Sequence, residues 1–551
     1  MKKKIKNKLL ILGIAFLAFS SFTYVDNYFE IAKNIEIFTS LYKELNTFYV
    51  DETKPGDLMK TGINSMLKSL DPYTIYYPES KIEDYRFLTT GKYGGIGITS
   101  HYNRDNEFVV SEVYQGFPGD KAGLKAGDIV REINHKTFED KTPDEIGDLI
   151  KGQSGTMLNL TVFRKGENRT FETDVTREDV EIPSVPFYGM IDDKIGYVKL
   201  NKFTKTASKD VRNAIKDLKN SQGMEELVLD LRYNGGGLLR EAINIVNFFV
   251  PKETLVVKTK GKIDSWNKTY VTLSEPLIPD MKVAVLINGR SASASEIVSG
   301  SLQDLDRAVV VGVQSFGKGL VQQTKSIAYN SKLKLTVAKY YTPSGRCIQK
   351  LDYSHKKDGV AKAIEEKNIN AFKTANGRTV YDGKGVTPDV LVETGEESKI
   401  YAGLIKEHII FDFATNYYYN HDSIVAPEDF ILSENEYNTF ITFAKDSNFE
   451  YKTQTEELLT RLIEASVEEN YYDDAEDSFT KLRQEISPDV NRDLIKFRTH
   501  IKKRVEAEIV SRYYYQNGRV RNELAKDDYL TKVSEIFNNE YTQILQGNSN
   551  H

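Results

Sequence analysis

The chain has 551 residues, too many for one ordinary domain, and its 40% hydrophobic and 28% charged residues describe a globular protein rather than a disordered or fibrous one. A formal net charge of −6 leaves no basic excess, so nucleic acid is not an expected partner. Cys347 is the one cysteine, which rules out an intrachain disulfide.

The N-terminus, Met1-Lys2-Lys3-Lys4-Ile5-Lys6-Asn7-Lys8, is basic, and an apolar run from Leu9 to Phe19 follows it before the polar Ser20-Ser21. The run is shorter than the roughly 20 residues of a full membrane span. Residues 1–26 therefore predict an export signal. No small-x-small cleavage site follows, so an uncleaved membrane anchor is the alternative. No cysteine follows the run either, which excludes a lipoprotein anchor.

Residues 27–90 carry helix-spaced apolar positions, among them Phe29, Ile31, Ile35, Phe38, Leu41 and Leu45, then Leu58, Ile63, Met66 and Leu67. They predict a small helical domain that stops at Leu70-Asp71-Pro72-Tyr73. Residues 91–180 change to glycine turns and short strands. Tyr93-Gly94-Gly95-Ile96-Gly97-Ile98 runs from a turn into a strand, and Phe108-Val109-Val110 is a second strand. A loop with a short helix, Gly116 to Leu124, precedes Ala126-Gly127-Asp128-Ile129-Val130. A helix over 144–150 and a strand over 158–163 complete the order, which resembles a PDZ domain. In such a domain Gly95, Ile96, Gly97 and Ile98 would bind a peptide. Backbone N–H groups of the turn hold its terminal carboxylate, and the following strand offers an edge for pairing.

Residues 181–397 alternate β-like runs (194–200, 226–231, 282–287, 308–313, 333–340) with helical segments (238–249, 295–305), the pattern of an α/β core. Residues 356–380 are polar and predict a loop. Residues 398–551 are charged and helical, with Leu458, Leu459, Leu462 and Ile463 sharing one face and Ile495, Ile501 and Val505 another. They predict an accessory helical domain with a packing or interaction role. The fold class is thus multidomain α/β: an α/β core with an inserted β-rich domain, a helical N-terminal segment and a helical C-terminal domain.

Chemistry concentrates in three segments of the core. Leu229-Asp230-Leu231-Arg232-Tyr233-Asn234-Gly235-Gly236-Gly237 ends a strand in a glycine turn whose N–H groups suit an oxyanion. Ser291-Ala292-Ser293-Ala294-Ser295-Glu296 begins a helix. Phe316-Gly317-Lys318-Gly319 places a lysine between glycines. A serine hydroxyl needs a base, and a lysine can be that base when burial lowers its pKa. Composition alone leaves Ser291, Ser293 and Ser295 open as the nucleophile. Gln322 lies four residues after Lys318, a spacing that shares a face in helix or strand. Glu296 sits one turn from Ser293 and reads equally as a site contact or as an acid favoured by the helix dipole. Gly312 to Lys318 matches the start of a phosphate-binding loop, but Gly319 replaces the Ser or Thr that would hold magnesium. The seven histidines show no paired spacing, so no metal and no cofactor are expected.

These segments, with Leu70-Asp71-Pro72-Tyr73-Thr74, Tyr341-Thr342-Pro343-Ser344-Gly345-Arg346 and Gly385-Val386-Thr387-Pro388-Asp389, resemble the carboxyl-terminal processing proteases over residues 35–392. These are tail-specific serine peptidases with an inserted PDZ domain. The resemblance implies Ser293 as nucleophile, Lys318 as a buried neutral base, Gln322 as its orienting partner, and Ala294 with Gly236 as oxyanion donors. It implies protein substrates with accessible C-terminal tails and a site of action in the bacterial periplasm or on the outer face of the inner membrane. The N-terminus would supply any membrane tether, and the added helices are compatible with a homodimer. The family's proline at or near Gly235 is absent here. A peptide-binding scaffold with a vestigial core is the rival reading.

Overall fold

A computed structural model of the chain describes residues 28–138, 141–357, 359–392 and 398–547. The expected export segment, 1–26, lies outside the described residues. The chain divides into two compact units, Met1–Tyr76 and Tyr77–His551.

In the first unit α1 occupies 28–48 and α2 spans Pro55–Leu70; a short strand β1, Ile75–Tyr77, spans the boundary in the chain. Pro55 suits the first helical turn because no intrahelical partner awaits its missing N–H. Asp71 ends α2 at φ −159°, as a residue before proline is driven out of helical geometry.

In the second unit α3, Ile82–Thr90, leads to an inserted domain. It comprises β2 Lys92–Gly95, β3 Ile98–Tyr102, β4 Phe108–Val113, α4 Pro118–Lys121, β5 Asp128–Ile133, α5 Pro143–Ile150, β6 Met157–Arg164, β7 Arg169–Thr176 and β8 Glu178–Glu181. β2 and β8 pair antiparallel from Lys92–Glu181 to Gly95–Glu178, so the chain enters and leaves the insertion side by side. The sheet order is β3-β4-β5-β6-β7, which leaves β3 on an edge. Leu158, Leu160 and Val162 alternate into the core with Ile146 and Ile150, one turn apart on α5.

The α/β core contains β9 Phe187–Met190, β10 Ile195–Lys199, α6 Ala207–Ser221, β11 Glu226–Asp230, α7 Leu239–Val246, β12 Leu255–Gly261, β13 Lys268–Val271, β14 Lys282–Ile287, α8 Ala294–Asp304 and β15 Val309–Gly312. β16 Leu320–Ser326 and β17 Lys332–Tyr341 follow, then β18 Leu351–Lys357, β19 Val360–Ala363, β20 Ala371–Lys373, β21 Thr379–Tyr381 and β22 Val390–Leu391. The main sheet runs β22-β15-β14-β11-β10-β9, parallel except for β9. Strands covered on both faces read as unbroken apolar runs, which is why β11, β14 and β15 do. α6, α7 and α8 cover one face; Val211, Ala214, Ile215 and Leu218 of α6 are buried at helical spacing. β16, β17, β12 and β13 form a second, antiparallel sheet. Residues 356–380, expected as a loop, instead lie in and between two hairpins, β18–β19 and β20–β21.

The C-terminal helices are α9 Lys399–Lys406, α10 Ile409–Asn420, α11 Glu434–Asp446, α12 Gln454–Glu468, α13 Tyr472–Ile486, α14 Val490–Lys496, α15 Arg498–Leu524, α16 Asp528–Glu535 and α17 Tyr541–Leu545. α9 to α11, α14 and α15 share their own core around Phe413, Tyr437 and Phe440. Ile501 and Val505 face it, whereas Ile495 is exposed and belongs to a different helix. Likewise Leu459 is buried while Leu458 and Leu462 are exposed. α16 and α17 depart from this bundle. Tyr529, Val533, Phe537 and Ile544 pack on the second face of the main sheet, against Val228, Leu286 and Val311. The sheet is therefore sandwiched between helices from the core and helices from the C-terminal end.

Candidate active site

Three loops leave the carboxyl ends of adjacent parallel strands β11, β14 and β15, the place where open α/β sheets bind ligands. The first is the glycine turn, the second carries Ser291 to Ser293, and the third carries Lys318.

Ser293 is the residue before α8 and holds φ 57°, ψ −111°, a backbone conformation costly for any residue but glycine. Its carbonyl accepts from the Tyr340 hydroxyl at 3.1 Å and from Ile297 N. Its two rivals are fully buried and committed. Ser291 Oγ donates to Leu231 O (2.8 Å), and Ser295 Oγ donates to Asn234 O (2.8 Å). Both thereby tie the serine loop to the glycine turn. Ser293 is half-buried and opens into a groove of 840 Å³ that Ala294, Gly236, Lys318 and Gln322 also line.

Gly236 adopts φ +99° and lies so close to the serine loop that a Cβ there would meet Ser293 Cβ at 2.9 Å and Ala294 N at 3.0 Å. Its own N–H donates to Asn234 Oδ1 at 2.9 Å. Asn234 is fully buried and fixed at its other end by Leu200 O.

Lys318 lies in the loop before β16, flanked by glycines because the chain at 349–350 passes against it. A Cβ on Gly317, at φ +89°, would meet Lys350 Cβ at 2.5 Å. Lys318 is half-buried, short of the full burial expected of it. Gln322 lies inside β16 just after a bulge at Val321, so regular strand alternation is not what aligns the two. The Gln322 amide donates to Thr336 Oγ1 at 3.3 Å. A strand, β16, follows Lys318 where a phosphate-binding loop would start a helix.

Glu296 joins the two loops. Its carboxylate, fully buried, accepts from Ser293 N (2.7 Å) and Lys318 N (2.9 Å) on one oxygen, and from Ser315 Oγ (2.5 Å) and Gly317 N (2.7 Å) on the other. Burial raises its pKa, and the hydrogen bonds oppose that rise by favouring the ionised form. Glu296 is a first-turn acid whose carboxylate accepts the Ser293 N–H at the start of α8, and it also bridges the Ser293 and Lys318 loops. Ser315 was not legible as a partner, since nothing in a lone loop serine signals it.

Behind the glycine turn, buried Asp230 accepts from Tyr197 Oη (2.6 Å), Lys199 Nζ (3.1 Å) and Arg232 Nη2 (2.7 Å). Although burial alone would raise its pKa, Arg232 and Lys199 hold the carboxyl well below its usual range.

The inserted domain has its own cavity of 460 Å³ between β3 and α5, lined by Ile96, Ile98 and Ile150. Gly95 to Ile98 lead into β3 at its edge. Lys81, just before α3, and Asp84 of α3 close one rim through ion pairs Lys81–Asp148 (2.9 Å) and Asp84–Lys151 (2.6 Å). Among the described residues, no three His, Cys, Asp or Glu side chains converge to hold a metal ion.

The family model "Peptidase family S41" matches residues 194–365, "PDZ domain" matches 94–175, and "Probable PDZ-protease, C-terminal helical domain" matches 400–537. A carboxy-terminal-processing protease of Bartonella bacilliformis is 37% identical over 320 residues, covering 58% of this chain and 73% of that protein. A probable CtpA-like serine protease of Staphylococcus aureus is 32% identical over 364 residues, 66% of this chain and 65% of that protein, so just under two thirds of its length is spanned. Among solved structures, a photosystem II D1 C-terminal processing protease aligns at TM-score 0.35 and 23% identity, over 65% of this chain and 92% of that one.

Proposed function

Because the chain belongs to the carboxy-terminal-processing serine proteases of peptidase family S41 and carries a PDZ domain, we propose that it is an exported endopeptidase that cuts proteins near their C-termini with a Ser293–Lys318 dyad. The observation that carries this reading is the convergence of Ser293, Lys318 and Gly236 on one groove, with Glu296 bonded to the backbones of both Ser293 and Lys318.

In this reading Lys318, neutral at working pH, takes the Ser293 proton as Oγ attacks the scissile carbonyl. The same ammonium protonates the leaving amine, and a water deprotonated by Lys318 then releases the acyl-enzyme. Gln322 steers the amine without adding charge. The tetrahedral oxyanion rests on Ala294 N–H at the start of α8 and on Gly236 N–H, which leaves Asn234 Oδ1 as the oxyanion forms. Apolar walls beside Ser293, formed by Leu239, Ile243, Ile297 and Tyr340, favour an apolar side chain next to the cut. The substrate tail pairs with the β3 edge, its carboxylate on the Gly95–Ile98 turn and its last side chain among Ile96, Ile98 and Ile150. A basic then apolar N-terminus supports export, cleaved or retained as an anchor.

The test is incubation of residues 27–551 with an unfolded protein ending in an apolar tail, beside a Ser293→Ala copy. Fragments from the parent alone support the reading, and their ends report specificity. Tail binding without cutting by either chain favours a scaffold instead.

A further inference from the structure

We propose that Asp527, from the C-terminal helical region, is a positioning residue for the glycine turn beside Ser293, acting through Arg232. The inference rests on the peptidase reading above and assigns a part in it to a region outside the S41 match.

Asp527 caps α16, its Oδ1 accepting from Tyr529 N at 2.9 Å. The same carboxylate takes Arg232 Nη1 at 3.2 Å and Nη2 at 2.5 Å. On its other edge the Arg232 guanidinium meets Asp230, with Nε at 3.1 Å from both oxygens and Nη2 at 2.7 Å from Oδ2. Tyr529 lies under its face, 4.5 Å from Arg232 Cζ to the ring centroid. The side chains are 12% (Arg232), 11% (Asp527) and 0% (Asp230) exposed. A planar fork held by carboxylates on two edges and by a ring on its face has no rotational freedom left.

The clamp bears directly on the oxyanion side of the groove. Arg232 N–H is bonded to Asp230 Oδ1 (2.8 Å), and Gly236 is four residues further on. Between them Tyr233 holds φ 65° with its N–H on Asn288 Oδ1 (3.0 Å). Asp230 also serves Lys199, so two cations share it, and Asp527 balances the second. Without the Asp527 charge, the guanidinium can pivot about Asp230 and carry the Arg232–Gly236 backbone with it. The lever is anchored from the far side of the sheet, because Tyr529, Leu530 and Val533 fix α16 there.

The experiment uses the whole chain with Asp527→Asn, Asp527→Glu and, as a packing control on the same face of the sheet but outside α16, Ile544→Ala of α17. It measures kcat and KM on a tail-bearing unfolded protein, Kd for a fluorescent apolar-tailed peptide, and Tm. Asp527→Asn is expected to lower kcat about tenfold or more, with KM and tail Kd within about twofold. Asp527→Glu should recover much of that loss, and Ile544→Ala should lower Tm while keeping kcat near parental below its Tm. Parental kcat in Asp527→Asn overturns the proposal, as does an equal kcat loss in Ile544→Ala. A parent that shows no Ser293-dependent cutting defeats the peptidase reading instead, so the two failures are distinguishable.

Discussion

One carboxylate, Glu296, receives four donors: Ser293 N and Lys318 N on one oxygen, Ser315 Oγ and Gly317 N on the other. An amide of the same shape has one oxygen and one NH2 group. In Glu296→Gln, one pair of buried donors therefore faces another donor, and each donor left unsatisfied costs about 1–3 kcal/mol. We predict a lower Tm and a loss of kcat of about 100-fold or more, because the misfit falls between the Ser293 loop and the Lys318 loop. Steady-state kinetics beside thermal unfolding check this, and parental kcat in the variant would contradict it. The sequence made Glu296 visible as a first-turn acid, but not as a bridge. Three of its four partners lie 19 to 22 residues further on, in a loop whose path no local pattern dictates. Choosing among Ser291, Ser293 and Ser295 was equally out of reach of composition. It takes the buried hydroxyls of Ser291 and Ser295, bonded to Leu231 O and Asn234 O, to set Ser293 apart.

Among the elements, those with a strong hydrophobic period were legible and the polar ones were not. β11, β14 and β15 stood out because strands covered on both faces are apolar throughout. The β18–β19 and β20–β21 hairpins were missed because β19, β20 and β21 are only three or four residues long and mostly exposed, too short for an apolar period to show. A contact between elements yields a pH prediction. His101 on β3 stacks on His408, just before α10, at 3.6 Å between ring centroids. Ser111 Oγ, Phe411, Glu508 and Arg512 surround the pair. Burial, with His408 and Arg512 adding to it and Glu508 opposing, lowers the His101 pKa to about 4, and burial lowers that of His408 as well. Folded-state values below the unfolded value of about 6.5 mean that the unfolded chain binds more protons between the two. The pair's contribution to stability is complete above about pH 6.5 and is lost as pH falls towards 4. Tm should fall between pH 6.5 and 4.5 and fall less steeply in His408→Phe, which keeps a ring but no charge. Identical slopes in parent and variant would refute this.

At the scale of the molecule, the C-terminal helices are joined to both functional regions. Arg519 pairs with Glu112 (2.5 Å) and Tyr515 with Asp120 (2.8 Å) in the PDZ domain, while Asp527 holds Arg232 in the core. Tyr515 makes its contact from a kink in α15 at φ 55°, ψ −158°. The succession of helical, PDZ-like, α/β and helical regions could be read from glycine turns and periodicity. That α16 and α17 would form a layer of the core could not, since Tyr529, Val533 and Phe537 look like any amphipathic helix face until the sheet they cover is known. The proposed role of Lys318 as the base for Ser293 is tested by turnover of a tail-bearing unfolded protein by Lys318→Arg beside the parent. Arginine keeps the charge and much of the reach but does not deprotonate in proteins. Cleavage by the parent and none above the Ser293→Ala background in Lys318→Arg, with tail binding intact, is the expected result; near-parental turnover in Lys318→Arg would contradict Lys318 as the base.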